Sequence, residues 1–188
     1  MSKNYEKNKK RKYLACIRCI SILLIAIILV FVLVFMRLTS PEIELSNISI
    51  DNISSNTMAA KSPDLSMRIL TKVSIQNPNF GRFKYEDTKL DVLYHGMVIG
   101  DVIIPKGRVR AKKTKHIDLV VEINADRLSG RYSGLSKDIN SRVVKLSGHV
   151  KLSGKVYLIM IFKRKKSGEM NCSWEVNLSR KSIQNLSC

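Results

Sequence analysis

Acidic residues and prolines are scarce in this chain, and the residue patterns that catalysis requires are missing. The 188 residues include 15 Asp and Glu against 33 Lys and Arg, and only four prolines. No nucleophile elbow, phosphate-binding glycine loop or zinc-binding H-E-x-x-H motif occurs. The three histidines, His95, His116 and His149, stand far apart in the sequence. These absences predict a protein that is not an enzyme and that has no metal or cofactor site.

The longest stretch without charge lies near the N-terminus, over residues 19–36. Almost all of its side chains are aliphatic or aromatic. As a helix, the stretch would span about 27 Å, close to the ~30 Å hydrocarbon core of a bilayer. Arg18 and Arg37 flank it, where long cationic side chains reach the headgroups. The stretch therefore predicts a transmembrane helix.

A cleavable signal peptide is the alternative to an uncleaved anchor. Signal peptides have apolar regions of about 7–15 residues that end in small residues at the cleavage site. Here the run is longer and continues into Phe35-Met36-Arg37-Leu38, so an uncleaved anchor is the preferred interpretation. Seven Lys and Arg lie within residues 1–18, and this positive flank predicts a cytosolic N-terminus.

Five Asn-x-Ser sequons support this orientation, because all of them follow the apolar run. The sequon marks N-glycosylation on the lumenal or extracellular side. Outside the cell, the basic run Lys163–Lys166 cannot act as a nuclear localisation signal, and no nucleic acid is expected as a partner despite the net charge of +18. The glycosylation candidates are Asn47, Asn52, Asn171, Asn177 and Asn185.

Period-two alternation of apolar residues dominates the chain after the anchor. Such alternation, in short segments separated by turn residues, is typical of a β-sandwich or barrel. One strand is predicted over residues 65–75, before the turn Asn77-Pro78-Asn79. The apolar run Tyr157–Phe162 predicts a strand buried on both faces, followed by a turn at residues 166–169. In total, seven or eight strands are expected, with a short helix or a loop over residues 126–140.

The strand ending in Val73-Ser-Ile-Gln-Asn-Pro-Asn79, followed by Tyr85 and by Leu93-Tyr94-His95-Gly96, resembles the late embryogenesis abundant group 2 domain of plants. The anchor, and Cys172-Ser-Trp-Glu-Val176 running to Cys188, resemble the harpin-induced-like, or hydroxyproline-rich glycoprotein, branch. This resemblance implies an all-β fold, a fibronectin-III-like antiparallel β-sandwich preceded by one transmembrane α-helix. It also implies a plasma-membrane location and a link to stress and pathogen responses. The scarcity of proline does not fit the label "hydroxyproline-rich".

These inferences together predict the organisation of the chain. Residues 1–18 form a cytosolic basic tail, and residues 19–37 form the transmembrane signal-anchor helix. Residues 38–62 form a linker and a first strand, and residues 63–188 form the extracellular β-sandwich.

The four cysteines form two pairs, which this topology places on opposite sides of the membrane. Cys172 and Cys188 lie in an oxidising compartment, where disulfides persist. A bridge between them would close a loop of about 16 residues and contribute about 3 kcal/mol; two free thiols are the alternative. Cys16 and Cys19 lie at the cytosolic membrane edge, where cysteines are either palmitoylated or tolerated as small apolar residues.

One segment of the outer domain carries six cations within ten residues, with no acid between them. As a strand it would alternate, with cations on one face and Gly107, Val109 and Ala111 on the other. A charged edge strand that blocks aggregation is the preferred interpretation. The other interpretation is a docking surface for acidic wall polysaccharide or anionic lipid. The six anionic-surface candidates are Lys106, Arg108, Arg110, Lys112, Lys113 and Lys115.

The sequence thus predicts a non-enzymatic, single-pass plasma-membrane protein of plant stress or defence responses, with its N-terminus in the cytosol and its C-terminal domain outside. It would act by adhesion or complex formation at the membrane–wall boundary, with acidic polysaccharide or other membrane proteins as partners. The alternative is a lipid- or anionic-surface-binding module that protects membranes during dehydration.

Overall fold

The computed structural model describes residues 2–56, 64–128, 134–159 and 162–188. The chain divides into two compact units, of which the first ends at Leu38 and the second runs from Thr39 to Cys188. The boundary predicted between residues 62 and 63 lies outside the described residues.

The first unit contains a single long helix, α1 (Ser2–Met36). Its segment Lys12–Leu33 has 22 residues and contains an 18-residue window with a mean hydropathy of 3.0, so it is long and apolar enough to cross a membrane. Ser21, the polar residue of the apolar run, donates its hydroxyl to the carbonyl of Ile17 at 2.9 Å, which satisfies it within the helix. The helix starts well before residue 19 because the basic tail contains no helix-breaking Gly or Pro. A membrane anchor and a signal sequence share these properties.

The second unit is antiparallel β structure with two short helical segments between β7 and β8. The helical segments fall where the sequence predicts a helix or a loop. In chain order the elements are β1 (Glu42–Asn56), β2 (Asp64–Asn77), β3 (Arg82–Tyr85), β4 (Thr88–Tyr94), β5 (Met97–Ile104), β6 (Gly107–Val109), β7 (Lys113–Asn124), a 3-10 turn (Ala125–Leu128), α2 (Leu135–Ser141), β8 (Val143–Ile159), β9 (Phe162–Asn177) and β10 (Ser182–Ser187).

The described strands belong to one hydrogen-bonded sheet. Its main path runs β1–β2–β7–β5–β4–β8–β3–β6, and β9 and β10 extend it from β8. The long strand β8 pairs with β9 along one edge, and along its other edge it pairs first with β4 and then with β3. The predicted all-β antiparallel architecture is confirmed. Because the strands form one nearly closed sheet, the fibronectin-III-like arrangement stays a prediction.

Alternating apolar residues build the core, as predicted from period two. The inward-facing residues of β2, from Leu65 to Ile75, are buried. Phe83, Tyr85 and Tyr94, on β3 and β4, are the largest fully buried side chains. Each large apolar side chain contributes roughly 1.5–3 kcal/mol when it is fully buried, so these residues hold β3 and β4 firmly in register.

Two predictions about the C-terminal half are wrong. The run Tyr157–Phe162 is not a doubly buried strand, because β8 ends at Ile159, β9 begins at Phe162, and Phe162 is 65% exposed; residues 160–161 lie outside the described residues. The predicted turn at residues 166–169 is an uninterrupted part of β9. Pairing with β8 continues through residues 166–169 of β9, which explains why no turn interrupts the strand there.

Candidate anion-binding surface

Four adjacent strands carry a cation at the same register position on their outward face. Lys155 of β8 lies directly opposite Lys165 of β9 and Lys84 of β3, and Lys84 lies opposite Arg108 of β6. All four side chains are exposed. Neighbouring strands lie about 4.8 Å apart, so these four cations extend over about 14 Å. We call these four residues the basic row.

The next outward position along the same strands is cationic as well. Arg82 of β3 and Lys163 of β9 lie opposite Tyr157 of β8, one on each side. The ammonium of Lys84 lies 4.9 Å from the centre of the Tyr157 ring, within the range of a cation–π contact. The basic row is therefore part of a wider basic surface with an aromatic residue at its centre.

Two open grooves flank Lys84 and Tyr157. The first has a volume of about 540 Å³ and also contains the hydroxyl-bearing residues Ser153 and Ser167. The second has a volume of about 560 Å³ and is partly apolar. Lining residues of the first include Lys84, Glu86, Ser153, Lys155, Lys165 and Ser167, and those of the second include Phe80, Arg82, Lys84, Arg110, Tyr157 and Leu158.

Carboxylates do not neutralise the basic row in the part of the chain that the structure describes. Glu86 is the one acid among the residues that line the two grooves, and no row residue takes part in a described ion pair. Like charges directly opposite each other in an antiparallel sheet destabilise the fold. An oxygen-bearing anion bound here would offset that repulsion.

A glycine allows the close strand approach that aligns the row. A Cβ at Gly154 would overlap the carbonyl oxygen of Lys84 and the ring of Phe83. Any larger residue would therefore push β3 away from β8. Because Gly154 precedes Lys155, this contact positions Lys155 against Lys84.

Asn77, at the end of β2, connects the strand ends behind the surface. It is fully buried, and its Nδ2 lies within hydrogen-bond distance of three carbonyl oxygens, those of Gly81 at 2.7 Å, Val109 at 3.3 Å and Arg110 at 3.1 Å. Its Oδ1 accepts hydrogen bonds from the backbone N–H and the side-chain amide of Asn79, both at 3.1 Å. This network holds β6 beside the start of β3, so it positions the cations of β6.

The six cations predicted from the sequence do not form one strand face. β6 covers only Gly107–Val109, and the chain turns at Lys112, whose φ is 53°. Lys113 and Lys115 therefore belong to β7. β6 is the last strand of the main path, whereas β7 lies between β2 and β5; that the cations of this segment block aggregation at an edge stays a prediction.

These six cations also have different surroundings. Arg108 and Arg110 belong to the basic surface, whereas Lys106 precedes β6 and donates its backbone N–H to Asp87 at 2.6 Å. The ammonium of Lys112 lies 4.3 Å from the ring centre of Phe80. That of Lys115 lies 5.8 Å from the ring centre of the buried Tyr85.

Sequence reasoning missed Lys84, Lys155 and Lys165. Lys84 and Lys155 stand as separate cations on β3 and β8, and no local pattern distinguishes them from other surface lysines. The run Lys163–Lys166 is evident in the sequence, but only strand pairing places its outward members in one row with the cations of β6.

At the other end of β9, a disulfide joins Cys172 to Cys188, with an S–S distance of 2.04 Å. Cys172 is buried, and the bridge holds β10 against the outer edge of β9. Cys16 and Cys19 are free and exposed on α1, and their palmitoylation stays a prediction.

Use of the five sequons also stays a prediction. Asn47 and Asn52 on β1 are exposed, and Asn177 is half-buried. The Oδ1 of Asn171 lies 2.6 Å from His149 Nδ1. Asn185 donates its amide to the Glu175 carboxylate at 2.7 Å.

The histidines have separate partners and do not form one site. His95 lies 3.8 Å from the carboxylate of Asp138, and His116 Nδ1 lies 2.8 Å from the hydroxyl of Ser74. Within the described ranges no group of three or more His, Cys, Asp or Glu residues is arranged to hold a metal ion.

Comparison with known proteins addresses the family of this chain. The model of group 2 of the family described as "Late embryogenesis abundant protein" matches residues 72–173. Late embryogenesis abundant protein At1g64065 of Arabidopsis thaliana is 34% identical over 172 residues, which cover 90% of this chain and 78% of that protein. The chain belongs to the late embryogenesis abundant group 2 family. This family is stress-related, and its members are not known as enzymes. The stretch that matches the group 2 model contains the whole basic row.

Two solved structures are also similar to this late embryogenesis abundant chain. The solution structure of AT1g01470 from Arabidopsis thaliana has a TM-score of 0.41 at 16% identity and covers 72% of this chain and 82% of its own. The crystal structure of a protein from Archaeoglobus fulgidus has a TM-score of 0.36 at 10% identity and covers 69% and 95%. At TM-scores this low, neither likeness carries weight on the fold.

Proposed function

We propose that this protein is a non-enzymatic, membrane-anchored stress-response protein whose β domain binds anionic surfaces. Helix α1 would anchor it in the plasma membrane, with the basic tail in the cytosol and the β domain outside the cell. The resemblance to the harpin-induced-like branch adds pathogen defence to the responses in which it would act. The observation that carries the proposal is the basic row of Arg108, Lys84, Lys155 and Lys165.

The geometry of the surface supports a polyanion over a single small anion. The row extends along about 14 Å at the ~4.8 Å spacing of strands, and the grooves beside it are open. A surface with one sign of charge also attracts its ligand over a distance and speeds association. Acidic wall polysaccharide and anionic headgroups both present repeated negative oxygens of this kind.

Salt-dependent retention of the full-length protein on immobilised polygalacturonate, in uncharged detergent, tests the proposal. The informative variant is Lys155→Gln with Lys165→Gln. Its matched control is Lys145→Gln with Lys151→Gln, which removes the same charge from the same hairpin, at lysines paired with Glu175 and Glu169.

We expect the first variant to elute at clearly lower salt than wild type and the control to elute close to wild type, because paired lysines contribute less to the local potential. Equal shifts in the two variants would show that overall charge, including that of the N-terminal tail, accounts for retention, and the proposal would then fail.

A further inference from the structure

An exposed aromatic side chain lies beside the basic surface. Phe80 is 56% exposed, whereas Phe162, which is 65% exposed at the start of β9, alternates with Lys163 and therefore belongs to the other face of the strand. Phe80 lines the same groove as Tyr157 and Leu158, together with the cations Arg82 and Arg110. Apolar and aromatic side chains edged by Lys and Arg are typical of surfaces that lie in a membrane interface.

The start of the β domain is held at this same end. Asn79, the neighbour of Phe80, accepts a hydrogen bond from the backbone N–H of Thr39 at 2.8 Å and donates its amide to the Thr39 carbonyl at 2.8 Å. Asn79 is itself buried and bonded to Asn77. The first residue of the domain is therefore fixed next to the exposed Phe80.

The covalent chain limits how far Thr39 can be from the end of the helix. Only Arg37 and Leu38 lie between Met36, the last residue of α1, and Thr39. Three residue steps reach about 11 Å at most. The headgroup layers add about 10–15 Å in total to a hydrocarbon core of about 30 Å, so a helix end at the hydrocarbon boundary keeps Thr39 close to the headgroups.

From these observations we infer that the β domain docks on the bilayer that holds α1. The cations of the basic surface bind anionic phospholipid headgroups, and Phe80 enters the interface beside them. The inference rests on the membrane anchorage and anion binding of the proposed function and names the ligand as anionic lipid. Lipid is favoured over wall polysaccharide because the surface combines apolar side chains with cations and because the chain holds it near the headgroups.

Quenching of a reporter tryptophan by brominated acyl chains tests this inference. The full-length protein carrying Phe80→Trp is placed in nanodiscs of phosphatidylcholine mixed with phosphatidylserine, a share of the lipid being brominated. Ile103→Trp is the matched control, because Ile103 is 62% exposed but lies on β5, outside the four strands of the basic row. The native Trp174 is buried and adds the same background to both variants.

We expect loss of most of the emission from position 80 and little loss from position 103. Quenching at position 80 should weaken in pure phosphatidylcholine. Adding Lys155→Gln and Lys165→Gln should lower the ratio of docked to undocked protein about 30-fold, since each cation near an anionic surface contributes about a fivefold factor.

The outcomes separate this inference from the proposed function. An unquenched reporter at position 80 in the phosphatidylserine nanodiscs would overturn the inference, and so would equal quenching at both positions. If retention on polygalacturonate still depends on Lys155 and Lys165 in that case, the proposed function stands with acidic polysaccharide as the ligand. If retention is also independent of them, both are wrong.

Discussion

The two ends of the β8–β9 hairpin use the same outward face in opposite ways. At one end Lys145 lies opposite Glu175, with 3.1 Å between ammonium and carboxylate, and Lys151 lies opposite Glu169 at 2.6 Å. At the other end Lys155 lies opposite Lys165 and has Lys84 on its other side. Charge pairing across these strands is therefore available and used at one end, whereas the other end accepts repulsion. This difference makes the basic end the better candidate for a binding surface.

The two ends are also held together by different means. The Cys172–Cys188 disulfide secures β10 on β9 near the charge-paired end. The buried Asn77 network secures β6 and β3 at the basic end. Substitutions at the basic end should therefore change both stability and anion binding, whereas substitutions at the disulfide should change stability alone.

The largest effect is expected at the basic end, from Asn77→Ala. Loss of the side chain leaves three carbonyl oxygens, two buried and one partly buried, without this donor, which should lower the free energy of unfolding by about 4 kcal/mol. Because β6 loosens, retention on polygalacturonate should also weaken. Denaturant unfolding followed by Trp174 fluorescence measures the first effect. The control Asn52→Ala, at an exposed position, should cost less than about 0.5 kcal/mol, and a similar loss in the two variants would contradict the account.

Removal of the disulfide by Cys172→Ser with Cys188→Ser should have the second largest effect on stability. The loop of 16 residues predicts a loss of about 3 kcal/mol, or a fall in Tm of about 6–12 °C. Retention on polygalacturonate should stay as in wild type, because the basic row is remote in register from the bridge. Thermal unfolding with and without reductant measures the effect. A difference from wild type that persists undiminished in reductant would mean that Cys172 acts through packing alone.

Giving each end the charge pattern of the other should change the stability of the fold by a smaller amount, and in opposite directions at the two ends. Lys165→Glu turns a like-charged cross-strand pair into an attractive one and should stabilise the fold by up to about 1 kcal/mol at low salt. Glu169→Lys, at the paired end, should destabilise it by a similar amount. Both shifts in Tm should shrink at high salt because the residues are exposed. Shifts of the same sign in both variants would show that repulsion in the basic row is negligible.

The smallest effect concerns acid stability at the paired end. A hydrogen bond from Lys151 holds the pKa of Glu169 below its ordinary value, and hydrogen bonds from Asn185 and Lys145 do the same for the pKa of Glu175. Since both pKa values are lower in the folded state, their stabilisation is present above about pH 4.3, the pKa of an unperturbed Glu, and is lost as the pH falls through the folded values.

Replacing both carboxyls, with Glu169→Gln and Glu175→Gln, tests this. The double variant should be slightly less stable than wild type at neutral pH and equal to it in acid. Tm measured across this range gives the comparison. A deficit that stays constant with pH would rule out a contribution from ionised carboxylates.

Strand prediction succeeded where buried and exposed side chains alternate along the chain. The alternation from Leu65 to Ile75 predicts β2 because inward and outward side chains follow each other along a strand. It failed at Tyr157–Phe162, because β8 ends at Ile159, β9 begins at Phe162, and Phe162 is 65% exposed. An apolar composition is compatible with a buried strand and with exposed strand ends, so only the pairing of β8 with β9 distinguishes them.

By itself the sequence predicted the apolar N-terminal helix, the all-β domain, a disulfide between Cys172 and Cys188 as the preferred alternative to free thiols, and the resemblance to the family. Each of these depends on local composition or on the period of side chains along one strand. Only the tertiary structure decided the basic row. Its members come from β3, β6, β8 and β9, and the register between strands determines which of their residues lie side by side. A shift of one residue in any strand would turn its cation to the opposite face, and no single segment of the sequence carries that information.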